Sequence, residues 1–291
     1  MRRVLLLVGV TGCCTAPGYT GAQAAVSDSS LAAIATRVAG PAGTPSVRTR
    51  RLVTWIGSNL TWTWTDYQER TPEQIVRRRA GNCADLAAVL AEMVRAAGMQ
   101  ARWVAEINIQ PRSEEREAGA VAKIKELGAR ASVFGLEHND HRWLEIYDSA
   151  QGGWVPADPA VGVVGVRDWE LARLGFGKRP SPPVPAVAEI TKDMLVPFMV
   201  ITIDGQRGPP VMDRSAHYLI EEFNDTYAGR LSSLPSWPRW TTEVRRLSAL
   251  GTAAYAGDAN LHSDEQAIHD LRTTYERLAS EATAANIEAG P

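Results

Sequence analysis

Three residues, Cys83, His141 and Asp158, have the types that covalent chemistry at a carbonyl needs: a thiol nucleophile, a base, and a carboxylate to orient the base. The chain carries three cysteines, and Cys13 and Cys14 lie in an N-terminal segment that reads as an export signal. Cys83 is then the lone thiol of an exported globular part, where it cannot form a disulfide within its own domain. The stretch GNCADLAAVLAEMVRAAG reads as an amphipathic helix, with Leu86, Val89, Leu90 and Met93 at helical spacing, Asn82 as N-cap, Asp85 three residues on and Gly98 past the end. Cys83 is its first residue. There the unpaired N–H groups and the positive end of the helix dipole favour thiolate over thiol. An inert core thiol would sit mid-helix on the apolar stripe instead.

The base and its orienting group are sought downstream. His141 opens the strand HRWLEIY and Asp158 follows the strand GWVPADP. His138 competes with His141, but only His141 is followed by W-x-E-x-Y. Cysteine, histidine and aspartate could together ligate zinc, yet the set lacks a second cysteine or a CxxC pair, so the sequence calls for no metal and no cofactor. His217, His262 and His269 fall in or beside helical segments and read as surface residues.

The elements that must position these groups follow from local signals. Thr71, Pro72 and Gln74 mark a strong helix start with a capping box, and Gly81 is expected to close that short helix just before Cys83. Strands are expected at Ala101 to Ile109, Arg142 to Tyr147, Gly153 to Val155 and Leu195 to Ile203. Helices first and an antiparallel sheet after them indicate α+β. Between the first two strands, Pro111 to Asn139 reads as a charged surface helix, with Ser113 as N-cap, an acidic first turn, and Lys123, Lys125 and Gly128 at its far end. A lid beside the site is the alternative reading. Residues 166 to 194 form a connector with the stiff run KRPSPPVPAV, and beyond about 206 strand signals vanish. Segments around Ala216 to Arg230, Thr241 to Leu250 and Asp264 to Ala279, the last capped by Ser263, read as an appended helical region. In LTWTWT, alternation puts Trp62 and Trp64 on one face, for core packing or for lining a groove.

GNCADLAAVLAEMVRAAGMQARWV followed by HRWLEIYDSAQGGWVPADPAVG resembles the core of the transglutaminase-like superfamily. Three motifs carry the resemblance in order: G-x-C at a helix start with Arg-Ala-Ala-Gly at its end, H-x-W-x-E-x-Y, and G-W-x-P-x-D-P. It covers roughly Glu73 to Val164. The resemblance implies a papain-like fold in which Cys83 is the nucleophile, His141 the acid/base and Asp158 the carboxylate that holds the imidazole. The Cys83 N–H is a natural oxyanion donor, and Gln68 and Asn82 are candidates for a second. Arg142 departs from a pattern that often has a small residue there, which bears on substrate preference. No acidic cluster resembles the calcium sites of animal transglutaminases.

Composition sets the remaining bounds. At 291 residues and 45% hydrophobic content the chain can bury one sizeable core, and a net charge of -2 argues against a nucleic-acid partner despite the run Arg77, Arg78, Arg79. MRRVLLLVGVTGCC has the two arginines and short apolar run of a signal peptide, too short to span a bilayer. Val10-Thr11-Gly12-Cys13 resembles a bacterial lipobox, which implies cleavage before Cys13 and lipid on its sulfur; Ala22-Gln23-Ala24 is the competing cleavage site. The expected organisation is a signal peptide at 1–12, a tether at 13–46 with a docked helix near Leu31 to Val38, a transglutaminase-like domain at 47–205 and a helical region at 206–291. The expected function is that of a lipid-anchored thiol enzyme of the bacterial envelope, periplasmic side, acting on amide bonds of a protein or peptide substrate. Hydrolysis is the default, with amine transfer or a non-catalytic peptide- or glycan-binding module as alternatives.

Overall fold

A computed structural model describes residues 30–110, 114–127, 133–176 and 196–290, and Leu31 onward forms one compact unit. The lipobox, the signal peptide, the Ser113 cap, Gly128 and the Pro-rich run lie outside the described residues. Helices α1 (Leu31–Ala39) and α2 (Pro45–Asn59) come first, α2 capped by Thr44, whose hydroxyl accepts from Val47 N. A two-residue strand β1 (Thr61–Trp62), helix α3 (Pro72–Arg78) and strand β2 (Ala80–Gly81) lead to α4 (Cys83–Ala96), and β1 pairs with β2 in parallel. The chain then runs through β3 (Ala101–Ile109), α5 (Glu114–Leu127), β4 (His138–Asp148), β5 (Gly153–Asp158), β6 (Val163–Val164) and α6 (Val166–Arg173). Strands β7 (Val196–Ile203) and β8 (Pro210–Asp213) follow. The C-terminal part has a π-helical turn at His217–Glu222, then α7 (Phe223–Thr226), α8 (Trp237–Ala256), a 3-10 turn at Leu261–Asp264 and α9 (Glu265–Ala284).

The architecture is α+β, with helices following the sheet strands at the C-terminal end, as expected. One antiparallel six-stranded sheet, in the order β6-β5-β4-β3-β7-β8, is covered on both faces. Two apolar cores explain why. Leu52, Val53, Ile56, Leu86, Val89, Leu90 and Met93 from the N-terminal helices bury themselves with Leu144, Ile146, Val155 and Ala157 of the sheet. On the other side Ile107, Trp143 and Val200 pack with Trp169, Tyr218, Trp240, Leu247 and Leu271. Burial of such side chains contributes about 1.5–3 kcal/mol each, so both helical layers hold the sheet.

Several local expectations are met. The capping boxes at Thr71–Gln74 and Asn82–Asp85 are both formed, Cys83 is the first residue of α4, and Gly98 follows that helix at φ +72°. Strand β3 runs as expected, while β4 and β5 extend further toward the site than Arg142 to Tyr147 and Gly153 to Val155.

Other expectations need correction. α3 ends at Arg78 and is capped by Arg79, which takes the left-handed conformation at φ 57°, and Gly81 lies in β2. A Cβ on Gly81 would come within 2.5 Å of the Asp85 Cβ, so close approach to the next helix is what calls for glycine there. The connector after 165 starts with helix α6, which has no side-chain cap to announce it. Strand β8 lies beyond 206, and the residue preceding α9 is Asp264, not Ser263. Trp62 is buried in the N-terminal core, whereas Trp64 is 46% exposed and meets the Trp62 ring edge-on at 4.7 Å. No helix among the described residues is long and apolar enough to cross a membrane.

Candidate active site

The three residues singled out by type and order come from three elements that meet in space. α4 supplies Cys83, a free thiol of intermediate exposure, at its N-terminus. β4 supplies His141 and the end of the neighbouring strand β5 supplies Asp158. The β4–β5 register pairs Leu144 with Ala157, so the next residue of β5, Asp158, falls on the opposite face from Ala157 and reaches His141. His141 Nε2 donates to Asp158 Oδ2 at 2.7 Å, and the imidazole also hydrogen-bonds the Cys83 sulfur. With Nε2 committed to the carboxylate, Nδ1 is the nitrogen left for the sulfur.

Asp158 uses its two oxygens separately. Oδ1 accepts from Ala160 N at 2.9 Å and closes the turn after β5, while Oδ2 faces His141. Sequence reasoning missed what stands behind that oxygen. Arg173, at the end of α6, donates through Nη2 to the same Oδ2 and through Nε to Glu106 Oε1 at 3.3 Å. Glu106 is the direct cross-strand partner of His141 in the β3–β4 register, and its Oε2 accepts from Trp143 Nε1 at 2.7 Å. Arg173, Glu106 and Asp158 have no solvent exposure, and the guanidinium lies over the Trp169 ring at 4.9 Å.

The electrostatics follow from this row of groups. Burial alone would lower the His141 pKa, but the adjacent Asp158 carboxylate and Cys83 sulfur outweigh it and hold the value well above 6.5. Burial works to raise the Asp158 carboxyl, yet His141 and Arg173 overcome it and hold it well below the ordinary carboxylate range. Glu106, Arg173, Asp158, His141 and the Cys83 sulfur therefore alternate in the sign of the charge they carry or favour. Each buried charge has an opposite neighbour, the condition under which desolvated ions are tolerated.

His138 does not share this place. It is buried at the start of β4, where desolvation and then the charge of His262 lower its pKa to about 4, and its ring lies 6.1 Å from that of His262. Arg142, the departure noted in the sequence, is buried against Asp140 at 3.1 Å and the Tyr255 hydroxyl at 3.4 Å, within electrostatic reach of Cys83. Tyr255 belongs to α8, so the C-terminal helices reach the neighbourhood of the thiol. Of the two candidates for a second oxyanion donor, Asn82 spends its side-chain oxygen on the Asp85 N–H. Gln68 lines a cavity of about 420 Å³ beside the first turn of α4, together with Arg70, Asp85, Gln206 and Arg207. Trp143 is fully buried beside Trp169 and Tyr218, while Trp154 is partly buried under the Arg102 guanidinium at 4.3 Å.

Comparison with known proteins finds a family match over the segment that carries these groups. The Transglutaminase-like superfamily matches residues 32–159, a span that contains all three groups. Among curated proteins none matches significantly. Solved structures similar to the chain include the periplasmic domain of TgpA from Pseudomonas aeruginosa, 24% identical over 46% of this chain and 44% of that one, with a TM-score of 0.33. Red sea bream transglutaminase is 15% identical over 63% of this chain and 36% of its own, with a TM-score of 0.36. A Rad4–Rad23 complex with a 6-4 photoproduct lesion is 13% identical over 86% and 53%, with a TM-score of 0.32. The chain spans less than two thirds of the length of each. On the match to the superfamily, together with the three ordered motifs that fall within it, residues 32–159 form a transglutaminase-like core.

Proposed function

We propose that this protein is a thiol amide hydrolase, a peptidase or amidase, tethered to the bacterial envelope through lipid on Cys13. The observation that carries the reading is the continuous hydrogen-bonded row from the Cys83 sulfur through His141 to Asp158, with the imidazole held protonated by its two neighbours.

In this reaction the Cys83 thiolate adds to the carbonyl carbon of a carboxamide or peptide bond. The oxygen gains the negative charge and faces the Cys83 N–H at the start of α4. His141 gives its proton to the leaving nitrogen, the C–N bond breaks, and a thioester to Cys83 remains. The neutral imidazole then takes a proton from water, whose hydroxide adds to the thioester, and the carboxylic acid leaves as the thiolate and imidazolium are restored. Asp158 keeps Nε2–H directed away from the sulfur throughout, so the nitrogen facing the sulfur is the one that exchanges protons.

Water outnumbers amines in the envelope and resolves the acyl-enzyme unless the site excludes it, which favours hydrolysis over amine transfer. Incubating the protein with a peptide library in the presence of a dansylated amine tests this. Cleaved peptides without dansyl incorporation are expected. Dansyl incorporation outrunning cleavage would make the protein a transferase, and neither product would leave a binding module.

A further inference from the structure

Away from the thiol, three segments distant in sequence bring ligating side chains to one point. Glu117 comes from the first turn of α5, His262 from the 3-10 turn Leu261–Asp264, and Glu265 from the first residue of α9. One ligand atom of each lies within 4.8 Å of the others. His262 Nδ1 stands 3.0 Å from Glu117 Oε1 and 3.1 Å from Glu265 Oε1. Ligands about 2.1 Å from a shared ion and about 90–110° apart lie about 3.0–3.4 Å from one another, so these separations suit a common metal. A neutral imidazole has a single proton to offer two carboxylates on Nδ1, whereas an ion satisfies all three groups at once.

The surroundings hold the ligands in place. Asn260 Oδ1 accepts from His262 N at 3.0 Å and fixes the turn, and Leu136 N donates to Glu265 Oε1 at 3.0 Å, the kind of outer contact that orients metal ligands. A second, independent feature points to a ligand. His138 is 1% exposed, its Nδ1 has no hydrogen-bond partner among the described residues, and it lines with His262 a cavity of about 310 Å³. Burying a polar nitrogen without a partner costs stability, and a polar ligand in the cavity it lines would offset that cost.

We propose that Glu117, His262 and Glu265 bind one divalent transition-metal ion, with the His138 ring behind His262 at 6.1 Å between centroids, and that the ion ties α5 to the start of α9. Mixed imidazole and carboxylate donors select zinc over calcium or magnesium, which prefer oxygen alone. The protein's own competing partner for both carboxylates is a protonated His262, and Lys125 lines the neighbouring cavity. The site is independent of the reading of Cys83.

Titration of the full chain with zinc chloride by calorimetry tests this, with Cys13→Ser, Cys14→Ser and Cys83→Ala in place so that no thiol takes the ion. One equivalent is expected to bind. His262→Ala and Glu117→Gln should each weaken it tenfold or more, and His138→Ala, behind His262, by about 10–100-fold, the loss typical of groups supporting a metal ligand. Zinc should also slow tryptic cleavage within residues 114–127 in the parent and not in His262→Ala. The His262 side chain is 42% exposed, so that variant is expected to keep its fold, as circular dichroism would verify. Absence of zinc binding, or equal affinity in the parent and His262→Ala, would overturn the proposal and leave the cluster as ion pairs between His262 and the two carboxylates.

Discussion

Arg173 donates a hydrogen bond to the same Asp158 oxygen that receives His141 Nε2–H, so one buried carboxylate oxygen is held between a guanidinium and an imidazole. This contact lets Asp158 stay ionised where water cannot reach it. It also fixes the direction in which that carboxylate pulls on the imidazole.

Replacing Arg173 therefore tests a positioning role. Arg173→Met should destabilise the fold by about 3–5 kcal/mol, because Asp158 and Glu106 lose a buried partner. Arg173→Lys, which keeps the charge, should fold better and recover part of the activity. In both, the Asp158 carboxyl should rise toward its ordinary range, and the acid limb of the kcat/KM profile should move to higher pH. A merely structural arginine would lower the yield of folded protein without moving that limb.

Asp158→Asn keeps an oxygen for Ala160 N but removes the charge. The expected loss is about 10² to 10⁴ in kcat with KM little changed, by analogy with removal of the orienting carboxylate in serine enzymes. Its melting temperature should fall as well, since Arg173 is left with Glu106 alone. Near-normal kcat would mean that Asp158 serves only the turn after β5.

The pH dependence of stability has a defined sign. The His141 pKa is raised on folding, so the stability it contributes is complete below the unfolded value of about 6.5 and is lost as pH rises through the higher folded value. The Asp158 pKa is depressed, so its contribution is present above the ordinary carboxylate range and is lost only as pH falls to its low folded value. Thermal melts should thus decline on the alkaline side in the parent and show less of that decline in His141→Gln. An unchanged alkaline limb in the variant would remove the argument for a protonated resting imidazole.

Much of this site was legible from local signals. Asn82, Asp85 and Gly98 frame α4 within one continuous stretch, and H-x-W-x-E-x-Y marks β4, so Cys83 and His141 could be placed on their elements without tertiary information. Asp158 could be paired with them through the resemblance of G-W-x-P-x-D-P to the transglutaminase-like pattern. The groups behind Asp158 had no such signal. Arg173 lies 67 positions from Glu106, and nothing local links the two. α6 is an eight-residue helix begun by Gly165 without a side-chain cap. α2 was hidden because Arg48, Arg50 and Arg51 interrupt the buried positions Ser46, Thr49, Leu52, Val53 and Ile56. β8 is only four residues long, and three of them are exposed, so it lacks an alternating pattern.

Lipid attachment is tested separately. Labelling with a palmitate analogue should mark the parent and be lost in Cys13→Ser, while a mature N-terminus at Ala25 would contradict it.

Reactivity of the thiol offers a further test of the Cys83–His141 contact. Iodoacetamide should alkylate Cys83 readily in the folded protein at mildly acidic pH, and His141→Ala should slow it. Equal rates in the two proteins would show that the imidazole does nothing for the sulfur.

The most direct measurement is intact-mass spectrometry of the protein quenched in acid during turnover of a peptide it cleaves. The account predicts a mass increase equal to the acyl part of the substrate, mapped to Cys83, absent in Cys83→Ala, and strongly reduced in His141→Ala, which lacks the proton for the leaving nitrogen. Turnover by Cys83→Ala at the parent rate, or an adduct on any other residue, would contradict it.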